Sequence, residues 1–163
     1  MKRLVAAAIG VLTVAACGGD DAAPVPIVDR IDDAIQAVEQ HYGAPQQFFE
    51  ISASIDEVSF VVAVNDATAA EQGGFSADGE LRVPEPVGPA NGFTFTAEAI
   101  GFDPDRIFEQ VRDELNDPVI VDFAIVGAAA GSVLYDATVA SEAGGVLLVR
   151  LGPEGRILGV QAL

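Results

Sequence analysis

Apolar residues recur at helical spacing toward the end of the first quarter of the chain. Ile27, Ile31, Ala34, Ile35, Val38 and Tyr42 form one stripe, and Gly43 offers a C-terminal stop. Asp29, Asp32 and Asp33 lie in the first turns, where carboxylates suit the helix dipole. The spacing predicts a helix over 28–42. The period then changes to two. "QFFEISASI" (47–55) alternates around Phe49, Ile51, Ala53 and Ile55, and "VSFVVAV" (58–64) is β-branched and aromatic. Both read as strands, with Asp56 and Glu57 in the turn between them. "NDATAAEQGG" reads as a connection, and "FSADGELRV" as a strand, an Asp-Gly turn and a strand.

"PEPVGPANG" (84–92) is the strongest break in the pattern, with three prolines and two glycines. "FTFTAEAI" follows as a short extended segment. A second helix is predicted from Asp103, a capping residue, through Pro104 at the first helical position, with Asn116 as a stop. Ile107, Phe108, Val111 and Leu115 make its buried stripe. Three strand signals close the chain: 119–127, 132–140, and a final stretch folded about Gly152-Pro153-Glu154-Gly155, which suits a type I turn.

The two halves answer each other in order. "IQAVEQHYGAP", "VSFVVAV" and "FSADGELRV" match "IFEQVRDELNDP", "VLYDATV" and "LGPEGRILG" in pattern. The expected fold class is therefore α+β, with two helix-plus-antiparallel-meander units in tandem and each helix packed on its sheet. A single α+β domain without duplication is the plainer alternative. Expected boundaries are 1–16, 17–26, 27–83, 84–102 and 103–163: signal peptide, flexible tether, first unit, linker and second unit.

The layout resembles PepSY-type domains and is similar to the tandem-repeat β-lactamase inhibitor proteins. The features that carry the likeness are the early helix, the strands after it, and the turns Asp78-Gly79-Glu80-Leu81 and Glu154-Gly155-Arg156-Ile157-Leu158. It extends over 28–83 and 103–163. The resemblance implies a binding or modulating module, inhibitory to peptidases in some members, and it brings no catalytic residue with it.

The N-terminus adds an address. "MKRLVAAAIGVLTVAA" has a basic start at Lys2 and Arg3, an apolar run and small residues at its end, which is the layout of an export signal. The run is too short for a comfortable membrane span. Val14-Ala15-Ala16-Cys17 resembles the bacterial lipobox. That resemblance implies cleavage before Cys17, the only cysteine, whose thiol would carry a diacylglycerol; palmitate-type acyl chains would hold the protein on the outer side of the cell membrane. The alternative is an ordinary secretory signal with an unmodified cysteine. "GGDDAAPVP" after it suits a tether.

Composition narrows function by exclusion. The 163 residues carry a formal charge of −17; beyond residue 16 there are six basic against 25 acidic side chains, −19. Such a surface repels phosphate backbones, so nucleic acid is not an expected partner. Lys2 is the only lysine, so the exported part has none for a P-loop or a Schiff base with a pyridoxal cofactor. One Cys and one His cannot build a usual zinc site or an internal disulfide.

The remaining chemistry is sparse. His41 falls in the last turn of the first helix, where an imidazole suits the negative end of the dipole. Ser132 lies at a strand start without a nucleophile elbow around it. Asp103 with Asp105, or Asn65 with Asp66, could offer oxygen ligands to calcium, but no EF-hand spacing is present. Paired glycosidase acids usually come with aromatic sugar platforms, and the chain has no Trp. "GAAAGS" and "EAGG" read as hairpin turns rather than nucleotide loops. Phe48 and Phe49 are adjacent, so one must leave the core and meet a second layer or a partner. No catalytic, cofactor or metal residue is assigned, and Cys17 is the one modification site. The expected function is non-catalytic binding or modulation of a protein or peptide at the cell envelope. The alternative is a carrier of an apolar small molecule or lipid held between helix and sheet.

Overall fold

The first apolar stripe folds as expected. A short 3-10 turn, Val28–Arg30, runs into α1, Ile31–Tyr42, which buries Ile31, Ala34, Ile35 and Val38. Gly43 ends it at φ 72°, a conformation that favours glycine, and its N–H donates to the Glu39 carbonyl. The second stripe forms α2, Pro104–Glu114, burying Ile107, Phe108 and Val111. The Asp103 carboxylate accepts the Arg106 N–H at 3.2 Å, satisfying one of the free donors of the first turn. The computed structural model that shows this describes residues 25–115, 118–141 and 144–163. The expected signal peptide, Cys17, most of the tether and the helix stop at Asn116 lie outside the described residues.

Four strands follow each helix in chain order. They are β1 (Phe48–Ala53), β2 (Glu57–Val64), β3 (Ala69–Ser76), β4 (Leu81–Pro89), β5 (Pro118–Gly127), β6 (Val133–Ser141), β7 (Val146–Leu151) and β8 (Ile157–Ala162). All pair antiparallel in one sheet of order β4-β3-β2-β1-β5-β6-β7-β8. β1 and β5 meet at the centre, with Ser52 opposite Ala124 and Ala53 opposite Phe123. Both helices lie against one face. There Phe48, Ile51, Phe60, Phe123, Ile125 and Tyr135 are at most 2% exposed and join the helix stripes in one cluster. Phe102 and Phe108 close over Phe123, with ring centroids 5.1 and 5.7 Å away. Burial of each such side chain contributes roughly 1.5–3 kcal/mol.

This corrects the expected fold class. The chain does not form two helix-plus-meander units. It forms mostly one antiparallel sheet of eight strands, with 46% of the described residues in strands and 24% helical. A helix followed by four strands does occur in each half, but the β1–β5 ladder makes one sheet and one core of them. The boundary expected at residue 83 falls inside β4, which continues through Pro84 and Pro86 to Pro89. Prolines suit this position because β4 is an edge strand with one free side. The segment read as a connection supplies β3. Its alanines and glycines give no strand signal, yet Gly73 is there for space. A Cβ at Gly73 would run into the Phe60 ring and come within 2.8 Å of the Arg82 carbonyl.

The alternation expected in β1 is also broken. A bulge between Phe48 and Glu50 puts Phe48, rather than Phe49, in phase with Ile51 and Ala53. Ile55 lies beyond the strand and is half exposed. The 93–100 segment contributes only a bridge, Phe48 to Phe95, and a 3-10 turn at Ala97–Ala99.

Candidate functional site

The sheet face turned away from the helices carries the polar chemistry of the molecule. Side chains alternate along each strand, so neighbours of core residues emerge here. In β6, Tyr135 and Ala137 point into the core and Asp136 points out between them. In β5, Asp122 precedes buried Phe123 and shares a register row with Thr138. β1 contributes Glu50 and Ser52, and β7 contributes Arg150 opposite Asp136.

Arg150 and Asp136 form a two-pronged pair. The guanidinium Nε donates to Oδ1 and Nη2 to Oδ2, both at 2.9 Å. Asp136 is only 7% exposed, and this fork satisfies both of its oxygens. Glu50 and Asp122 receive no such partner among the described residues. Desolvation against the sheet, then the Asp136 charge, holds Glu50 above the usual carboxylate range, although the residue as a whole remains exposed. Burial first, and the Glu50 charge second, pushes Asp122 up to about 6. The centre of the face thus holds three acids and one base, with two of the acids uncompensated.

An apolar cleft of about 360 Å³ adjoins Glu50. Phe49, displaced by the bulge, lines it with Val61, Val126 and Phe93, and Phe93 is 61% exposed. The chain passes close over the end of β5 at this point. A Cβ on Gly127 would overlap the Phe93 carbonyl, so a glycine is required there. Phe95 then pairs with Phe48, and Thr94 Oγ1 donates to Gln47 Oε1 at 2.9 Å, fixing the cleft's outer wall. Of the adjacent phenylalanines, Phe48 is the core residue and Phe49 the outward one.

Other residues singled out in the sequence are scattered. His41 is exposed in the last turn of α1, with its ring edge against Tyr42. Tyr42 in turn donates to Glu71 of β3, on the helix side of the sheet. Ser132 is exposed and its Oγ donates to the Ala129 carbonyl at 2.8 Å, as a turn residue between β5 and β6. Asp103 is engaged in capping, and Asn65 and Asp66 sit in a left-handed turn at φ 53° and 56°. Among the described residues no group of three His, Cys, Asp or Glu side chains is placed to hold a metal ion. Among them too, no helix is long and apolar enough to cross a membrane. Glu50, Asp122 and Asp136 were not singled out in the sequence. A signal was there: Asp122 and Asp136 each stand inside a strand-forming run, "VIVDFAIVG" and "VLYDATV", where a carboxylate needs a reason.

No family model matches the chain, and no curated protein matches it in sequence. The likeness to PepSY-type domains therefore has no support at the family level. A crystal structure of a protein from Clostridium difficile 630, provisionally described as a lipoprotein, is similar in fold. It aligns over 88% of this chain and 97% of its own, with a TM-score of 0.61 and 13% sequence identity. At that identity the likeness establishes a shared fold, which one sheet backed by two helices can lend to many functions.

Proposed function

We propose that the protein is an exported lipoprotein, held on the extracytoplasmic face of the cell membrane through Cys17, that binds a protein or peptide partner without catalysis. The docking segment of the partner is basic and carries an apolar side chain. The observation that carries this reading is the open face: Glu50 lines a cleft walled by Phe49 and exposed Phe93, and Asp122 on the same face stands, like Glu50, uncompensated among the described residues. A cationic side chain placed there would relieve the repulsion between the acids, and its apolar neighbour would fill the cleft. The charge of −17 adds steering of a basic partner from a distance. The lipobox-like residues before Cys17, and a fold shared with a protein described as a lipoprotein, favour the membrane setting.

The carrier reading has less behind it. Ala34, Val38, Ile107 and Val111 on the helices and Phe48 and Phe123 on the sheet are all 0% exposed, so the helix-sheet layer is filled. A Lys- and Arg-rich peptide bearing Leu and Phe, titrated by calorimetry, tests the binding reading. Its affinity should weaken as salt rises and fall by about tenfold or more in Glu50→Gln/Asp122→Asn. Equal affinity in that variant removes the proposed site. Mass spectrometry of the N-terminal peptide of the envelope-purified protein tests the anchor: a diacylglyceryl adduct on Cys17 is expected, and a free thiol contradicts it.

A further inference from the structure

The two edges of the sheet are built differently. β4 is guarded: Pro84, Pro86 and Pro89 lack N–H donors, Arg82 and Glu85 add charge, and two register shifts disturb its ladder with β3. β8 lacks the prolines and the charges, and its ladder with β7 carries a single register shift, between Ile157 and Gly159. Its sequence from 157 to 163, "ILGVQAL", contains no charge and no proline, in a chain where one residue in five is charged. Leu158, Val160 and Leu163 are 46%, 51% and 69% exposed. The Leu163 N–H donates to the Val146 carbonyl at 3.0 Å. Bonded residues alternate in an antiparallel ladder, so Gln161 and Leu163 turn their backbone groups to β7, while Val160 and Ala162 turn theirs outward.

We propose that the free edge of β8 pairs with the β8 of a second copy of this chain, antiparallel about a two-fold axis at Val160. The register follows from which residues point outward. Val160 faces its own counterpart, Gly159 faces Gln161 of the other copy, and Leu158, at the register shift, comes opposite Ala162, so no pair across the axis brings two charges together. A strand with no charge is one of the few parts of so acidic a molecule that can approach its copy without placing like charges opposite each other. The guarded β4 edge keeps the assembly closed at two copies, since an open edge at both ends would continue into a filament. The acidic bodies still repel, so pairing tightens as salt screens them over a Debye length of about 8 Å at physiological strength. That sign distinguishes a second copy from a basic partner, whose binding salt weakens.

The test uses the full chain with Cys17→Ser, which removes the only thiol, in mild nonionic detergent. Adding Val160→Cys should give a covalent dimer on oxidation, because paired residues at this kind of position lie about 5.5 Å apart between Cα atoms. Val87→Cys, 58% exposed on β4, should give none. Sedimentation of the chain without either added cysteine should show a dimer that strengthens between about 50 mM and about 500 mM salt. Val160→Lys should weaken that dimer about tenfold or more with an unchanged circular dichroism spectrum. A dimer that dissolves with salt, cross-linking as strong at position 87 as at 160, or a dimer indifferent to Val160→Lys overturns the proposal. A strand supplied by a different protein would leave this chain monomeric, and that result overturns it too.

Discussion

Asp122 is the residue whose environment departs furthest from that of an isolated carboxylate. Its folded pKa, about 6, lies above the unfolded value near 3.8, so the folded state holds its proton more tightly. The sign follows: between about pH 4 and 6 stability falls as pH rises, and the cost is fully present at neutral pH. Asp122→Asn should therefore raise stability at pH 7 by on the order of 1 kcal/mol after allowance for solvent screening, and with it the midpoint of thermal unfolding, and bring no gain at pH 4. Thermal melts at the two pH values check this; an equal effect at both would mean the carboxylate is unperturbed. A basic partner stabilises the charged form, so its binding should weaken as pH drops through 6. At this scale the sequence is half legible. Asp103, Gly43 and Ser132 serve in the local roles their types suggest, because capping and turn chemistry involve only near neighbours. Glu50 and Asp122 gain their meaning from charges on other strands, and no window of sequence contains those.

Elements with a strong period were read to within a few residues. α1 and α2 follow their apolar stripes, and β2, β5 and β6 follow their β-branched runs. The end of β3 at Phe75, the Asp78-Gly79 turn and the start of β4 at Leu81 were legible, but the rest of β3 and of β4 was hidden for opposite reasons. β3 uses Gly73 because the Phe60 ring fills the space of a side chain, so packing rather than propensity chose its residues. β4 accepts prolines because its outer side pairs with no strand among the described residues. Gly73→Ala tests the first point. The added methyl should cost about 1–3 kcal/mol in a denaturant melt through forced movement of Phe60 and Arg82. A neutral or stabilising effect would show that β3 is glycine-rich for some other reason. The bulge at Phe49 was equally invisible, since a one-residue shift leaves the composition of β1 unchanged while it exchanges the faces of two phenylalanines.

At the scale of the molecule, the similarity between halves suggested two units, and pairing of β1 with β5 joins them into one sheet. Patterns in sequence report what each element needs, but which edge meets which is decided by long-range pairing. One sheet and one core imply one cooperative transition, so scanning calorimetry should give a single peak with equal calorimetric and van't Hoff enthalpies. Two resolved peaks would restore independent halves. The sheet also divides the molecule in two: helices fill one face, and the other, with its acids and its cleft, is the face proposed to bind a partner. Amide chemical-shift mapping during titration of a basic peptide tests that division most directly. Shifts gathered at Glu50, Ser52, Asp122, Asp136 and residues 91–93 are the expected result, and shifts gathered on α1 and α2 instead would contradict it.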